Sequence, residues 1–215
     1  MYVPLLFKED RIDVLHAAIR RTGLATLVTL TADGLIASHV PMLLDAGPAP
    51  YGTLLGHIAR PNPQARGATP GVQALAIFQG PEAYITPSWY ATKRKDGKVV
   101  PTWNYVAVHA YGPALAIHDH AWLMALVERL TARHEAGRAS PWKVSDAPAD
   151  YVARRIDAIV GIEIPIVRIE GKWKVSQNQP QADMQGIVAG LSGEARPDAV
   201  EMARLVEEHA GLRKA

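Results

Sequence analysis

The stretch QGPEAYITPSWYATKRKDGKVVPTWNYVAVHAY, residues 79–111, is the aromatic centre of the chain and predicts the type of fold. It contains four of the seven tyrosines and two of the five tryptophans. Asp96 and Gly97 stand together between two β-prone runs, a pattern typical of a β-hairpin. The stretch therefore predicts two antiparallel strands that turn at Asp96-Gly97.

The second run of this stretch alternates with a period of two, so its side chains divide between two faces. One face carries aromatic and imidazole groups: Trp103, Tyr105, His109 and Tyr111. The other face carries smaller side chains: Thr102, Asn104, Val106 and Val108. Flat rings with polar tips suit a planar ligand or a second subunit. They also suit a core strand whose hydroxyl and indole groups find backbone partners, and the residues leave both interpretations open.

Outside this stretch the chain predicts further short strands at regular spacing. They cover residues 24–30, 35–44, 51–58, 72–78 and 114–117, with a turn at residues 32–34. This spacing favours an antiparallel barrel or sandwich over a βαβ fold, in which longer helices separate the strands. Pro41 cannot donate to a sheet ladder, so we expect it at an edge or a bulge, where backbone groups can face a ligand.

The remaining elements are predicted mainly as helices. We expect helices over residues 10–21, 119–136 and 148–158, and closing helices within residues 181–210. Two strands within residues 160–177, joined by Glu170-Gly171, are predicted to extend the sheet. The chain is thus predicted as a single domain over residues 1–215, mainly β with flanking helices (α+β), with a barrel core over about residues 24–117.

Composition excludes several functional classes. The chain has 215 residues, 48% of them hydrophobic and 20% charged, with a net charge of +2 and no cysteine. Without cysteine there is no disulfide, thiolate nucleophile or iron–sulfur cluster. The apolar runs are too short for a membrane span, and the first residues lack the basic start of a signal peptide, so we expect a cytoplasmic protein.

Common catalytic motifs are also missing. The sequence contains no Gly-x-Gly-x-x-Gly, Gly-x-x-x-x-Gly-Lys, His-Glu-x-x-His or Gly-x-Ser-x-Gly pattern, which leaves nucleotide-fold and hydrolase signatures unsupported. The triplet His118-Asp119-His120 is thin evidence for a metal site, and no metal is predicted.

A possible anion site lies around Asn62. This residue, followed by Pro63, has the form of an N-cap with proline at the first helical position, and Gly67 is predicted to end the short helix. Free N–H groups, the helix dipole and the guanidinium of Arg60, with His57 upstream, could together bind a phosphate. Short capped helices are also common as purely structural features.

A second basic feature lies at the predicted hairpin tip. Lys93, Arg94, Lys95 and Lys98 place four cations there. A solvated tip explains them, and so does a contact with phosphate or nucleic acid.

Five motifs in order along the chain resemble those of the PaiB-type family, bacterial proteins described as FMN-binding negative transcriptional regulators. They are ASHVP at 37–41, GHIARPNPQ at 56–64, YITPSWY at 84–90, VPTWNY at 100–105 and KVSQNQP at 174–180. The resemblance covers most of the chain, and the final helices match less distinctively.

The resemblance implies an antiparallel FMN-binding split β-barrel, related to pyridoxamine-phosphate oxidases and flavin reductases. Such proteins are usually homodimers with the flavin in a cleft between subunits. On this basis the phosphate is expected near Arg60 and Asn62, with His57 nearby.

Other candidate residues follow from the same resemblance. The backbone around Ser38, His39 and Val40 is expected to supply the donors and the acceptor that the flavin ring needs. Trp103 or Tyr105 is expected to supply the flat wall, and Asn104 and Lys93 are candidates for contacts made from a partner chain.

The resemblance leaves more than one function open. One is an FMN-binding repressor of transcription, with the promoter contacted directly or through a protein partner. Another is a flavin-dependent oxidoreductase or flavin reductase that acts on an unknown small substrate without binding DNA; the third is a barrel that has lost its ligand. The closing helix carries Glu201, Glu207 and Glu208, which would repel DNA phosphates. No catalytic acid or base stands out.

Overall fold

The computed structural model of the chain describes residues 1–32, 34–47, 50–66 and 71–211. The strands are β1 (Lys8–Glu9), β2 (Leu24–Thr31), β3 (Gly34–Asp45), β4 (Thr53–Ala59), β5 (Ala74–Ile85), β6 (Thr102–Gly112), β7 (Leu115–Ile117), β8 (Ile159–Pro165) and β9 (Arg168–Lys174). The helices are α1 (Ile12–Thr22), α2 (Lys93–Asp96), α3 (His120–Glu135), α4 (Ala149–Asp157), α5 (Gln181–Ser192) and α6 (Pro197–His209). The predicted turn residue Asp33 and the predicted helix stop at Gly67 lie outside the described residues.

The chain divides into two compact units. The first comprises Met1–Leu15, Gln79–Val108 and Glu170–Ala215, and the second comprises His16–Phe78 and His109–Ile169. Strands β5 and β6 contribute residues to both units. The single domain over residues 1–215 remains a prediction.

Antiparallel strands in the order β5-β2-β3-β4-β8-β7 form the sheet of the second unit. Strand β3 pairs with β2 through residues 34–41 and with β4 through residues 42–45. The missing N–H of Pro41 therefore lies where β3 changes its partner. This position agrees with the prediction that Pro41 lies at an edge of the ladder.

Helix α3 covers one face of this sheet. Its Leu126 and Leu130 pack with Leu43 of β3 and Leu55 of β4, beside the half-buried Trp122. The N-cap Asp119 accepts a hydrogen bond from the backbone N–H of Trp122 at 2.7 Å, which confirms the predicted start of the helix. Gly161 lets the ring of Trp122 approach β8, since a Cβ there would lie 2.3 Å from Cζ3.

Strands in the order β1-β9-β6-β5 form the sheet of the first unit, in which α5 also packs against α6. Helix α5 approaches Trp89 closely through two glycines. A Cβ at Gly186 would lie 2.0 Å from the carbonyl oxygen of Trp89, and one at Gly190 would lie 2.3 Å from its ring. Asp183 of α5 is buried and accepts hydrogen bonds from Thr92 N at 2.9 Å and Thr92 Oγ1 at 2.6 Å.

The predicted turn at Asp96-Gly97 is wrong, although β5 and β6 are neighbouring strands of the sheet. Residues 93–96 form the single helical turn α2, and Gly97 ends it in the left-handed conformation at φ 69°. Strand β6 begins only at Thr102. Asp183 fixes Thr92 at the start of the turn, a long-range contact that local propensity does not contain.

The predicted turn at Glu170-Gly171 is also wrong. Both residues lie inside β9, where Gly171 pairs with Glu9 of β1. The chain turns between β8 and β9 instead, where Ile166 N donates to Gly52 O and Val167 N donates to Tyr111 O, both at 2.9 Å. These two bonds reach distant parts of the chain and place the turn about four residues earlier than expected.

The predicted alternation of β6 is confirmed. Asn104, Val106 and Val108 are buried, whereas Trp103 is 48% exposed and Tyr105 is half-buried. The aromatic face is thus the more accessible face of this strand, and the small side chains point to the core. This exposure argues against a core role for the rings and leaves them accessible to a ligand or a second subunit.

Every described helix is too short or too polar to act as a transmembrane span.

The close contact at Gly190 predicts a large effect of a single methyl group. Gly190→Ala should lower the free energy of unfolding by about 1–3 kcal/mol, because the added Cβ collides with the Trp89 ring. Urea unfolding measures the change. Gly193→Ala at the end of the same helix is the matched control, since its Cβ would meet its nearest atom at 3.4 Å. Equal stability of the two variants would contradict the packing of α5 described here.

Candidate functional site

The ten residues predicted for the site divide between the two units. The second unit contains Ser38, His39, Val40, His57, Arg60 and Asn62, and the first contains Lys93, Trp103, Asn104 and Tyr105.

Strand β3 presents an open backbone edge at His39. The N–H of Met42 donates to Gly23 O at 2.8 Å. This bond fixes which residues of β3 direct their backbone N–H and C=O groups toward β2. In an antiparallel pair, residues that face the partner strand alternate with residues that face away. Ser38 and Val40 therefore face β2, while His39 directs its N–H and C=O to the opposite edge. Strand β4 pairs only with residues 42–45, so no strand of the described chain covers this edge at His39.

Two amides hold the turn after β4 against β2 and β3. Asn62 Nδ2 donates to Ser38 Oγ at 2.9 Å, which brings two predicted residues into direct contact. The buried Gln64 donates from Nε2 to Leu27 O at 3.2 Å and to Thr29 Oγ1 at 2.9 Å. Gln64 was not among the predicted site residues, although the motif Asn-Pro-Gln was a signal for it.

The turn itself offers few free donors. Residues 63–66 form one 3-10 turn in place of the expected two-turn α-helix. Asn62 N donates to Ala59 O, Gln64 N donates to Asn62 Oδ1, and Ala65 N donates to Asn62 O, each at 2.9 Å. Pro61 and Pro63 have no N–H. The N-cap role of Asn62 is confirmed, but the expectation of free N–H groups at this terminus is wrong.

Arg60 is exposed and already has a structural role. Its Nε donates to Asp157 O at 2.6 Å and its Nη2 donates to Ile159 O at 3.0 Å. These carbonyls lie at the carboxyl end of α4 and the start of β8, where a cation interacts favourably with the helix dipole. Nη1 has no partner among the described residues, so the guanidinium keeps a donor for an anion.

His57 carries a buried polar atom without a partner. Its Nδ1 finds no hydrogen bond in the described chain. Burial lowers the pKa of His57 below its ordinary value of 6.5, because the charged form loses its hydration. The ring is therefore neutral near pH 7, and its unpaired nitrogen needs a bound molecule or a water to be satisfied.

In the first unit the predicted aromatic residues form an accessible surface. The rings of Trp103 and Tyr84 meet edge to face with centroids 6.0 Å apart. Tyr105 is half-buried, and the ammonium of Lys172 lies 5.2 Å from the centroid of its ring.

Asn104 has a different environment from its neighbours on β6. It is fully buried, and its Nδ2 donates to Ser176 Oγ at 2.8 Å, while Ser176 Oγ donates back to Asn104 Oδ1 at 3.1 Å. Ser176 has φ 63°, a left-handed conformation that is uncommon for a residue other than glycine. The pair fixes the loop after β9, and sequence reasoning missed Ser176 although it lies in the motif KVSQNQP.

Lys93 begins the exposed helical turn α2, where Arg94 and Lys95 are also exposed. Its side chain makes no hydrogen bond or ion pair with the described residues, and its role stays a prediction. No group of three potential metal ligands converges in the described residues, and Asp119 of the triplet His118-Asp119-His120 serves as the N-cap of α3.

Comparison with known proteins places these features in a family. A family model described as "Putative FMN-binding domain" matches residues 1–168. An uncharacterized protein of Emericella nidulans is 34% identical over 248 residues, which cover 99% of each chain. The "Protease synthase and sporulation protein PAI 2" of Bacillus subtilis is 32% identical over 211 residues, which cover 97% of each chain. The resemblance to the PaiB-type family is thereby confirmed, and relatives are not confined to bacteria.

A solved structure shows the same fold at low identity. The FAD and heme binding protein of Mycobacterium smegmatis superposes with a TM-score of 0.55 and 14% identity, over 78% of this chain and 73% of that chain. Together with the observed antiparallel strands and flanking helices, this likeness confirms the predicted split β-barrel fold class.

The half-buried His57 predicts a pH-dependent stability. Below about pH 6.5 the unfolded chain binds a proton on this histidine that the folded chain accepts only at lower pH, so the free energy of unfolding falls as the pH drops. His57→Gln should make the loss of stability between pH 7.5 and pH 5.5 smaller, as measured by urea unfolding at both values. His120→Gln, at an exposed position, is the control. An unchanged pH dependence in His57→Gln would show that this ring is not desolvated.

Proposed function

The chain belongs to the FMN-binding family whose model it matches, and from this membership we propose that it is a flavoprotein that binds FMN. The observation that carries the proposal is the open edge of β3 at His39, next to the Ser38–Asn62 contact and in the same unit as the donor Nη1 of Arg60. The residues present fit the chemistry of the cofactor.

The phosphate of FMN needs cationic and N–H donors. Arg60 has one guanidinium nitrogen without a partner in the described part of the chain, and its other two nitrogens are anchored on carbonyls. Anchoring lowers the entropy lost on binding, because the side chain is already ordered. The backbone of the Pro63–Arg66 turn contributes little, because the N–H groups of Gln64 and Ala65 are already paired.

The flavin ring needs both donors and acceptors along one side. The edge of β3 offers the N–H and the C=O of His39, which are directed away from β2. Such a backbone edge can pair with a planar heterocycle in the way that it pairs with another strand. We propose that Ser38 and Val40 fix this edge by their bonds to β2, and that His57 is one further contact for the bound molecule.

A flat wall is the remaining requirement. Trp103 and Tyr105 offer accessible rings, and Asn104 holds β6 in place through Ser176. We propose that the flavin is bound where two copies of the chain meet in a homodimer, with Lys93 as a candidate contact from the partner copy.

FMN supplies electron and hydride transfer when it is bound. The chain itself contributes binding, orientation and exclusion of water. A flavin-dependent oxidoreductase or flavin reductase acting on a small substrate is therefore one proposed activity.

Repression of transcription is the second proposed activity, suggested by the PaiB-type resemblance. In helix α6, Arg204 is paired with Glu201 at 2.7 Å and also with Glu208, so this arginine is not available for DNA phosphates. The glutamates of this helix would repel DNA phosphates, which favours repression through a protein partner over direct DNA binding. A cytoplasmic location and a bacterial source remain predictions.

Two measurements distinguish these activities. A yellow preparation with flavin absorbance supports the flavoprotein. A salt-dependent gel shift on promoter DNA with colourless protein would support a regulator that acts without flavin.

Arg60→Ala tests the phosphate contact. It should raise the Kd for FMN roughly ten- to hundredfold, the loss expected for about 1.5–3 kcal/mol of charge-assisted hydrogen bonding. Quenching of FMN fluorescence on binding gives the Kd. Arg66→Ala, in the neighbouring turn, is the matched control, and far-ultraviolet circular dichroism checks that the loss of the α4 contacts has not unfolded the variant. An FMN Kd equal to that of the wild type would remove Arg60 from the site.

A further inference from the structure

Two lysine ammonium groups lie together on β9 of the first unit. Lys172 and Lys174 are two residues apart and therefore project from the same face of the strand. Lys172 is only 8% exposed, and Lys174 is half-buried. Lysine is rarely buried to this degree unless a partner compensates its charge.

No carboxylate of the described chain compensates either charge. Lys172 Nζ donates to Tyr2 O at 3.2 Å and lies 5.7 Å and 5.2 Å from the ring centroids of Tyr2 and Tyr105. Lys174 Nζ donates to Thr102 Oγ1 and to Trp103 O. Each of these partners is neutral. Glu170 lies on the same face of β9, but it is paired with the α-amino group of Met1 at 2.6 Å.

The local electrostatics follow from this arrangement. Burial lowers the pKa of Lys174, and the positive charge of Lys172 lowers it further. Carbonyls and aromatic faces satisfy the ammonium donors, but they do not cancel two like charges in a partly desolvated place. An anion bound there would be attracted by both ammonium groups, and its negative charge would reduce the repulsion between them.

The neighbouring side chains indicate which kind of anion fits. Trp103 and Tyr84 are 48% and 44% exposed, and they form an edge-to-face pair on the adjoining strands β6 and β5. Exposed rings beside two cations offer a flat apolar surface for a second aromatic ring. A small inorganic anion would leave this surface unused.

We propose that Lys172 and Lys174, with Trp103 and Tyr84 beside them, bind the negatively charged part of an aromatic heterocyclic ligand. Two sources supply this chemistry. One is FMN itself, in which case the site deepens the proposed function. The other is a separate nucleotide, such as the nicotinamide dinucleotide that would reduce a flavin, and a site for it does not depend on FMN binding.

Competitive acetylation of the wild-type protein tests the proposal without any variant. Trace acetic anhydride labels each lysine at a rate set by its accessibility and protonation, and peptide mass spectrometry reads the labels separately. The probes are FMN, NADPH and inorganic phosphate, with the exposed Lys143 as the internal reference. At a probe concentration of ten times its Kd, labelling of Lys174 should fall about tenfold through simple occupancy, and Lys143 should not change.

The outcomes separate this proposal from the proposed function, because FMN binding is followed in the same samples by fluorescence quenching. Protection of Lys174 by FMN assigns the site to the flavin. Protection by NADPH, with or without bound FMN, assigns it to a second ligand and holds even if FMN does not bind. If neither nucleotide protects Lys174, or if phosphate protects it equally well at the same concentration, the proposal is overturned.

Variants provide the second test. Lys174→Met and Lys172→Met keep the length of the side chain and remove the charge, and each should weaken the protecting nucleotide roughly tenfold or more. Trp103→Leu should weaken that nucleotide while leaving phosphate binding unchanged. Lys143→Met is the control. Wild-type affinity in both β9 variants would overturn the proposal.

Discussion

The change of strand partner at Pro41 is the constraint on which the second unit and its candidate site depend. Up to Pro41, β3 pairs with β2, and from Met42 onward it pairs with β4. Proline lacks the N–H that a continued ladder would need, so β4 does not extend along β3 toward residue 34. The edge at His39 stays open for this reason, and the chain leaving β4 crosses back to β3 through the Asn62–Ser38 contact. Fold and site therefore have the same physical origin.

Several polar groups serve the fold and the candidate site together. Arg60 caps the end of α4 with two nitrogens and keeps a third for an anion. Asn62 caps its own turn with Oδ1 and binds Ser38 with Nδ2. Such double use orders these side chains within the fold, and an ordered side chain loses less entropy if a ligand binds to it. Because these side chains serve both purposes, a substitution of Arg60 or Asn62 changes stability as well as affinity.

Charge pairing in the rest of the molecule gives the two lysines of β9 their significance. Glu9 is largely buried and is paired with Arg11 at 2.6 Å, a contact that lowers the pKa of its carboxyl group. Arg204 has two glutamate partners on its own helix. These groups follow the ordinary rule that charge withdrawn from water is paired. Lys172 and Lys174 depart from it, since their partners are carbonyls, a hydroxyl and aromatic rings. A bound anion would pair the charges of these two lysines.

The sequence by itself determined the elements whose signals are local. The alternation of β6, the cap of α3 at Asp119 and the cap of the turn at Asn62 depend on neighbours within a few residues. The ordered motifs also identified the family. Tertiary structure alone decided the helical turn at residues 93–96, because Asp183 holds Thr92 from 91 residues away. Tertiary structure also decided that the backbone N–H and C=O of His39 point away from β2. It likewise decided that Lys172 and Lys174, which have no carboxylate partner among the described residues, lie near exposed rings. Register and long-range hydrogen bonds depend on how distant segments meet, and a periodic pattern in one segment contains no information about its partner.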